Sequence, residues 1–467
     1  MKTECPTHEL KLNPLYSRDI IAKFDGGNIT SDGGALLLRE VEKRTHILKR
    51  LSGCFRDSRN PKFIEHTVEA LIKQRVFGIA MGYEDLNDHD HLRQDPLLGT
   101  LCEKQDPTGS DRFMDRDKGK ATAGKSTLNR LELGVVSTNR YKKIVPNTEA
   151  IDDLLIDLFI ESFSSTPTEI VFDLDATDDR IHGCQEGRFF HGYYGDYCYL
   201  PLYIFCEDQL LCARLRTADR DASDGAVAEL ERIVSKVRAA WPQVRIIIRG
   251  DSGFCRDELM KWCETNGVNY IFGLAKNTRL EKAITEEMAE AKKQYEESGQ
   301  RARIFKDFRY RTLKSWSSER RVIGKAEYLN QGSNPRFIVT SLEPNISGKD
   351  LYEKLYCARG EMENRIKEQQ LYMFADRTST HWMASNQLRL YFASFAYVVM
   401  ETLRRLALIG TEMAKAQCHT IRLKLFKIGA QIRITVRKVW LSLSEGCAFA
   451  DLLSRVLMHL HQIPLRQ

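Results

Sequence analysis

Three carboxylates stand where a folded α/β chain could gather them. Asp175 ends the apolar run VFDLDAT (171–177), and Asp251 directly follows another, in IIIRGDSGF (246–254). Apolar runs this short, rich in β-branched residues, read as buried strands. Acids at the ends of adjacent strands in an α/β sheet can converge. Gly250 and Gly253 let the chain turn sharply around Asp251. The third acid, Glu363, lies in YCARGEMENRIKEQQ (356–370). On a helix Tyr356, Arg359 and Glu363 fall on one face, with Lys367 and Gln370 further along it.

Such a set suits phosphodiester chemistry. Two magnesium ions about 3.5–4 Å apart can activate an attacking oxygen and stabilise a leaving one. Magnesium prefers hard oxygen ligands and keeps several waters, so a few carboxylates suffice. Asp175, Asp251 and Glu363 are therefore the candidate metal ligands, with manganese able to substitute. Each acid singly has a plainer reading: the aspartates cap turns, and Glu363 pairs with Arg359 or Lys367. Asp173 competes with Asp175, because residues two apart on a strand share a face. Asp175 is preferred because it is nearer the strand end and precedes Thr177. Asp178 and Asp179 read as turn residues.

The elements that must carry these residues follow from periodicity. Residues 1–165 read as mainly helical, with helical apolar spacing in 34–52, 62–82 and 151–163. From about residue 168 the order becomes βββαβαβ, an α/β core with a mixed sheet over 166–300. Strand patterns return in 301–346 as a β-rich insertion. Residues 347–410 complete the core with the helix that bears Glu363. In the remaining 411–467, IRLKLFKI (421–428) and IRITVRKVWL (432–441) alternate basic and apolar residues, which suits strands or a basic-faced helix. The 76 residues from Asp175 to Asp251 leave room for several strands and a helix. The 112 from Asp251 to Glu363 are too many for one connection, and the insertion accounts for them.

Two motifs point elsewhere. GKATAGKS (119–126) fits the phosphate-loop pattern G-x-x-x-x-G-K-[ST]. A charged, turn-like stretch precedes it instead of a buried strand, so it reads as a helix start capped by Ser126 or Thr127. DHDH (88–91) resembles a metal-ligand pair but sits in a polar stretch, and reads as a solvated loop and helix start.

Composition is that of a globular protein, with 42% hydrophobic and 29% charged residues over 467 positions. No apolar run approaches the length of about 18 residues that a membrane span needs. The N-terminal residues lack the apolar core of a secretory signal. Twelve cysteines without a C-x-x-C pair suit reduced thiols rather than a zinc ribbon or a redox site. Net charge is +6, and the surplus is local: ten Lys/Arg against four Asp/Glu in 301–344, nine against three in 411–467. Basic surfaces on a near-neutral body suit a polyanionic partner.

The combination of FDLDATDD, RGDSGF and Y-x-x-R-x-x-x-E resembles the DDE transposases of bacterial insertion sequences. The finer resemblance, carried by LDATDDRIHGCQEGRFFHGYYGDYCYLPLYIF and FDGGNITSDGGALLL, is to the insertion-sequence 1380 family, within the insertion sequence 4-like group. It extends over nearly the whole chain. It implies an RNase H-like catalytic core, with Asp175, Asp251 and Glu363 as first, second and third acids. It implies that Tyr356 and Arg359 contact DNA phosphate near the cut. The group's Tyr-Arg-Glu-Lys signature places a lysine seven residues after Glu363, and here that position is Gln370. Lys367, one turn earlier, is the candidate substitute. The resemblance also implies that the helical N-terminal region binds DNA ends.

The expected activity is metal-dependent cleavage at the inverted-repeat ends of the protein's own element and joining of 3′-hydroxyls to target DNA. A dimer on DNA is expected, because two ends must be held together, with action in the bacterial cytoplasm at the nucleoid. Trp316, in KSWSSERR (314–321), could stack on an unpaired base; packing inside the insertion is its plainer reading. The same two readings apply to His191, Tyr193 and Tyr194. The competing readings are another RNase H-like nuclease, which would cut without joining, and a DNA-binding regulator without catalysis.

Overall fold

The computed structural model describes residues 9–133 and 141–466. Among them two compact units are distinguished. One holds the chain up to Val145 together with the chain from Phe395 on; the other holds Pro146–Ser394.

The second unit is built on a nine-stranded sheet. Its strands are β1 (Glu169–Ala176), β2 (Leu202–Cys206), β3 (Gln209–Arg214), β4 (Arg245–Gly250), β5 (Asn269–Leu274), β6 (Ala302–Tyr310), β7 (Arg320–Leu329), β8 (Gly332–Ser333) and β9 (Arg336–Thr340). The order is β3-β2-β1-β4-β5-β9-β7-β6, and β8 pairs with β7. The hairpin β2–β3 adds to β1 antiparallel, whereas β4 and β5 run parallel to β1. Parallel neighbours need crossovers, supplied by helices α1 (Ala226–Ala240) and α2 (Asp257–Thr265). The strands β6–β9, in the region expected as a β-rich insertion, continue this sheet, because β9 pairs antiparallel with β5.

Alternation along the central strands sends side chains to two cores. Phe172, Leu174, Ile246, Ile248, Tyr270 and Phe272 pack on one side, with Leu230, Ile233, Leu259 and Met260 of α1 and α2. Ile247, Ile271, Ile323 and Ile338 pack on the other, against Leu351 and Tyr352. That second side is covered by a helical run from Gly348 to Tyr372. It contains α3 (Gly360–Lys367) and widens to π turns over Leu351–Tyr356 and Glu368–Tyr372. π turns alter which residues face the sheet, and are frequent at functional sites.

The first unit is mostly helical outside its strand pairs. The expected helix over 34–52 is two helices, Leu36–Thr45 and Ile47–Gly53. His46 adopts φ 54° between them, a left-handed conformation that ends an α-helix. Helix Val68–Met81 buries its whole C-terminal part, including Lys73, which pairs with Glu69 and Glu103 at 2.6 Å each. In the phosphate-loop-like segment, Gly124 is the N-cap of helix Lys125–Glu132, with no side-chain cap. The expected capping by Ser126 or Thr127 is thereby corrected: both lie inside the helix. The 3₁₀ turn Asp115–Asp117, not a strand, precedes the motif. The DHDH stretch is not a solvated loop throughout. His89 is fully buried, 3.1 Å from Gln74 Nε2, and burial holds its ring pKa down near 3. A ring held neutral in the core is structural.

At the C-terminal end, residues 421–426 are helical and the alternating stretch that follows is a hairpin, Ala430–Ile434 with Val439–Leu443. Among the described residues, no helix is long and apolar enough to cross a membrane.

Candidate active site

Strand register brings the first two acids together. On β1 and β4, Asp173 is the partner of Arg249 and Leu174 that of Gly250. One residue further, Asp251 leaves the sheet beside Asp175. Both lie at the C-terminal ends of parallel strands, where open α/β sheets place their sites. Asp173, Asp175 and Arg249 share the face covered by the helical run, by strand alternation.

Asp173 and Asp175 differ in their partners, and Arg249 makes the difference. Its Nε and Nη2 donate to the two carboxylate oxygens of Asp173 at 2.5 and 2.7 Å. Its Nη1 donates to the Leu355 carbonyl at 2.5 Å. Asp173 is thus consumed in a buried fork that also ties the helical run to the sheet one residue before Tyr356. Asp175 carries no such fork. Burial pushes its carboxyl up to about 6, against the pull of Arg359, and the nearby charges of Asp251 and Glu363 push the same way.

Arg359 is the hub on the helical side. Its Nη2 lies 3.2 Å from Asp175 Oδ2, and its Nη1 donates to Glu363 Oε1 at 3.2 Å. The expected first acid, third acid and arginine therefore meet through one guanidinium. Asp251 accepts a hydrogen bond from Gly253 N at 2.8 Å, which fixes one of its oxygens at the turn.

Tyr356 reaches the same place because residue 273 has no side chain. A Cβ on Gly273 would lie 2.6 Å from the Tyr356 hydroxyl and 3.0 Å from Ser252 N. Gly273→Ala should displace the tyrosine from beside the Asp251 turn. The expected result is cleavage slowed between about 10- and 100-fold, since a shift of about 1 Å near reacting groups can cost that much. Thermal denaturation of the same sample checks that the fold is kept.

Lys367 is exposed at the end of α3. Gln370, at the position of the signature lysine, donates from Nε2 to the Asp178 carbonyl at 3.1 Å and to Asp179 Oδ1 at 3.0 Å. Asp179, expected as a turn residue, is fully buried, and burial pushes its carboxyl up to about 8. A neutral amide suits a carboxyl kept neutral. The folded pKa exceeds the unfolded one, so Asp179 contributes stability fully below pH about 4 that is lost as pH rises through about 8. Asp179→Asn should flatten the fall in melting temperature between pH 5 and 8.5, which differential scanning fluorimetry would read.

Trp316 is 6% exposed. It meets Tyr310 edge-on at 5.8 Å and lies under the Arg320 guanidinium at 5.5 Å. In this arrangement its faces are spent on protein contacts. Among the turn aromatics, His191 and Tyr194 pack against each other at 4.9 Å while Tyr193 is exposed.

The donor set suits hard divalent cations, because the charges of Asp251 and Glu363 raise the proton affinity of Asp175 and so favour added positive charge there. Among the described residues, no group of three or more His, Cys, Asp or Glu could hold a metal ion as placed. Arg359 supplies the positive charge between Asp175 and Glu363. Glu363, with its side chain 51% exposed, pairs with Arg359.

Reading the sequence missed Arg249 and Gly273. A signal existed for the arginine: a cation at the end of IIIRG needs a buried acid, and Asp173 was the acid at the matching place in the partner strand.

A family model described as Transposase DDE domain group 1 matches residues 12–465. Among solved structures, the piggyBac transposase synaptic complex with hairpin DNA is similar at 12% identity. The match covers 84% of this chain and 80% of that one, with a TM-score of 0.40. No curated protein is a significant match to the chain.

Proposed function

Because the chain belongs to the transposase DDE domain group 1 family, we propose that it cleaves DNA at the terminal inverted repeats of its own element and joins the 3′-hydroxyls to target DNA. The observation that carries the reading is the shared face on which Asp175, the Asp251 turn and the Tyr356–Arg359–Glu363 helix meet at the strand ends. The RNase H-like assignment of the core is supported by its strand order, an antiparallel hairpin on β1 followed by two parallel strands. The finer placement in the insertion-sequence 1380 family of bacterial elements rests on the motifs around Asp175 and on the opening FDGGNITSDGGALLL.

Magnesium or manganese ions held by Asp175, Asp251 and Glu363 would supply activation of the attacking oxygen and charge neutralisation at the leaving one. The chain's own groups do the positioning. Arg359 presents a planar fork suited to a phosphate, and its present hold on Asp175 and Glu363 keeps it beside the cut. The Tyr356 hydroxyl, seated over Gly273, donates alongside. Lys367 adds a flexible positive charge one turn beyond Glu363. Trp316 would need to leave its packing to serve as a stacking platform. The helices of the first unit would hold the terminal repeats. Two ends cut in one assembly imply a dimer on DNA, acting in the cytoplasm at the nucleoid.

A strand-transfer assay separates this reading from a simple nuclease. Labelled terminal duplexes, supercoiled plasmid and magnesium should yield labelled plasmid products. Cut duplex with no label in the plasmid would favour the nuclease reading.

A further inference from the structure

The C-terminal hairpin, β10 (Ala430–Ile434) and β11 (Val439–Leu443), has two unlike faces. Its register pairs Ile432 with Leu441 and Ile434 with Val439 on one face, and Arg433 with Trp440 and Gln431 with Ser442 on the other. The first face carries the hairpin's buried residues: Ile432 is buried and Leu441 half-buried. The second face is exposed throughout. Trp440 lies there between two cations, with Arg433 at 5.9 Å and Lys438 at 5.0 Å from its ring. The turn is closed by Thr435 N donating to the Lys438 carbonyl at 2.9 Å. Its tip residue Val436 is fully exposed, at 103%. Arg433, Arg437 and Lys438 are exposed, and no acid side chain pairs with any of them among the described residues.

A ribbon bearing three uncompensated cations, an exposed indole and an apolar tip, paired only at its base with Ile29–Thr30 among the described residues, is complementary to duplex DNA. The major groove is wide enough for a two-stranded ribbon. Cation–π contacts hold the Arg433 and Lys438 side chains over Trp440, which lowers the entropy lost when they meet a ligand. We infer that this hairpin enters the major groove of duplex DNA, with Arg433 and Trp440 facing the base edges and Arg437 and Lys438 on the flanking phosphates. The inference rests on the DNA-acting reading and adds to it a specific contact element.

The test measures binding of the full chain to a fluorescent duplex carrying the element's terminal sequence, by anisotropy across a salt series. The double variant R437E/K438E should bind at least about tenfold more weakly at moderate salt. Its plot of log affinity against log salt should be shallower by about 2, since each lost phosphate contact removes roughly 0.9. The exchange variant R437K/K438R keeps both charges and should bind like the wild type, which separates charge from folding. Lys293→Glu, an exposed site on another element, should leave affinity and slope within about twofold of wild type. Unchanged affinity and slope in R437E/K438E would overturn the inference, as would equal losses in the exchange variant. Wild-type cleavage is scored in the same samples. Cutting with an indifferent hairpin would sink only the hairpin role; binding through the hairpin without cutting would sink only the transposase reading.

Discussion

Asp175→Asn and Glu363→Gln should each abolish strand cleavage, by about 10³-fold or more, while leaving affinity for the terminal duplex unchanged. The size follows from the chemistry: a carboxylate that holds the charge-stabilising group is worth several kcal/mol at the transition state, and about 4 kcal/mol is roughly a thousandfold in rate. The two substitutions should part company in stability. Asp175 is half-buried beside two other acids, and burial pushes its carboxyl up to about 6, above the value of an exposed aspartate. Its stabilising contribution is complete below pH about 4 and is lost as pH rises through about 6. At pH 7.5 in a chelating buffer the ionised carboxylate is therefore a cost, and Asp175→Asn should melt at or above the wild-type temperature. Glu363 is half-exposed, with a single ion pair to Arg359 at 3.2 Å, so Glu363→Gln should change the melting temperature little. Loss of cutting together with gained or kept stability marks a functional acid, since a structural one would lose both.

Arg249→Ala should be the most damaging single change to the second unit. It leaves Asp173 buried and unpaired and the Leu355 carbonyl without its donor. Breaking one side of a buried ion pair typically costs about 3–5 kcal/mol. For a unit of this size that lowers the melting temperature by roughly 10 °C, on a scale of about 2–4 °C per kcal/mol. The double change R249L/D173L removes both charges and should recover most of that loss, because the remaining apolar pair has no charge to desolvate. It should not recover cleavage. With the tie to Leu355 gone, the turn that presents Tyr356 is no longer pinned to the sheet. Stability restored without activity would make Arg249 a positioning residue. Recovery of both would show that the fork serves stability alone.

The strands bearing Asp175 and Asp251 were legible because buried parallel strands write themselves as apolar runs, and VFDLDAT and IIIRGD end in acids. The common face of Tyr356, Arg359 and Glu363 was legible from helical spacing, although the π turn over Leu351–Tyr356 is not written in any residue pattern. Other features depend on distant partners. Nothing local in RIFKDFRYRTL or PRFIVTSL says that β9 pairs with β5, which makes the apparent insertion part of the central sheet. The break at His46 sits inside a continuous helical pattern, since a single left-handed residue leaves no periodicity behind. DHDH was polar by composition, yet His89 is buried because it faces Gln74 on a neighbouring helix. Asp179 looked like a turn residue because the Gln370 that caps it lies far along the chain.

The most direct measurement is a sequencing-gel assay of end-labelled duplex that spans the boundary between the element's terminal repeat and its flanking DNA. Wild-type protein and Asp251→Ala are each incubated with magnesium and with calcium. The account predicts a nick at the repeat boundary that leaves a 3′-hydroxyl, formed by the wild type with magnesium and absent with calcium and in Asp251→Ala. Cutting by Asp251→Ala at the wild-type rate, or specific binding by the wild type with no cut in magnesium, would contradict it.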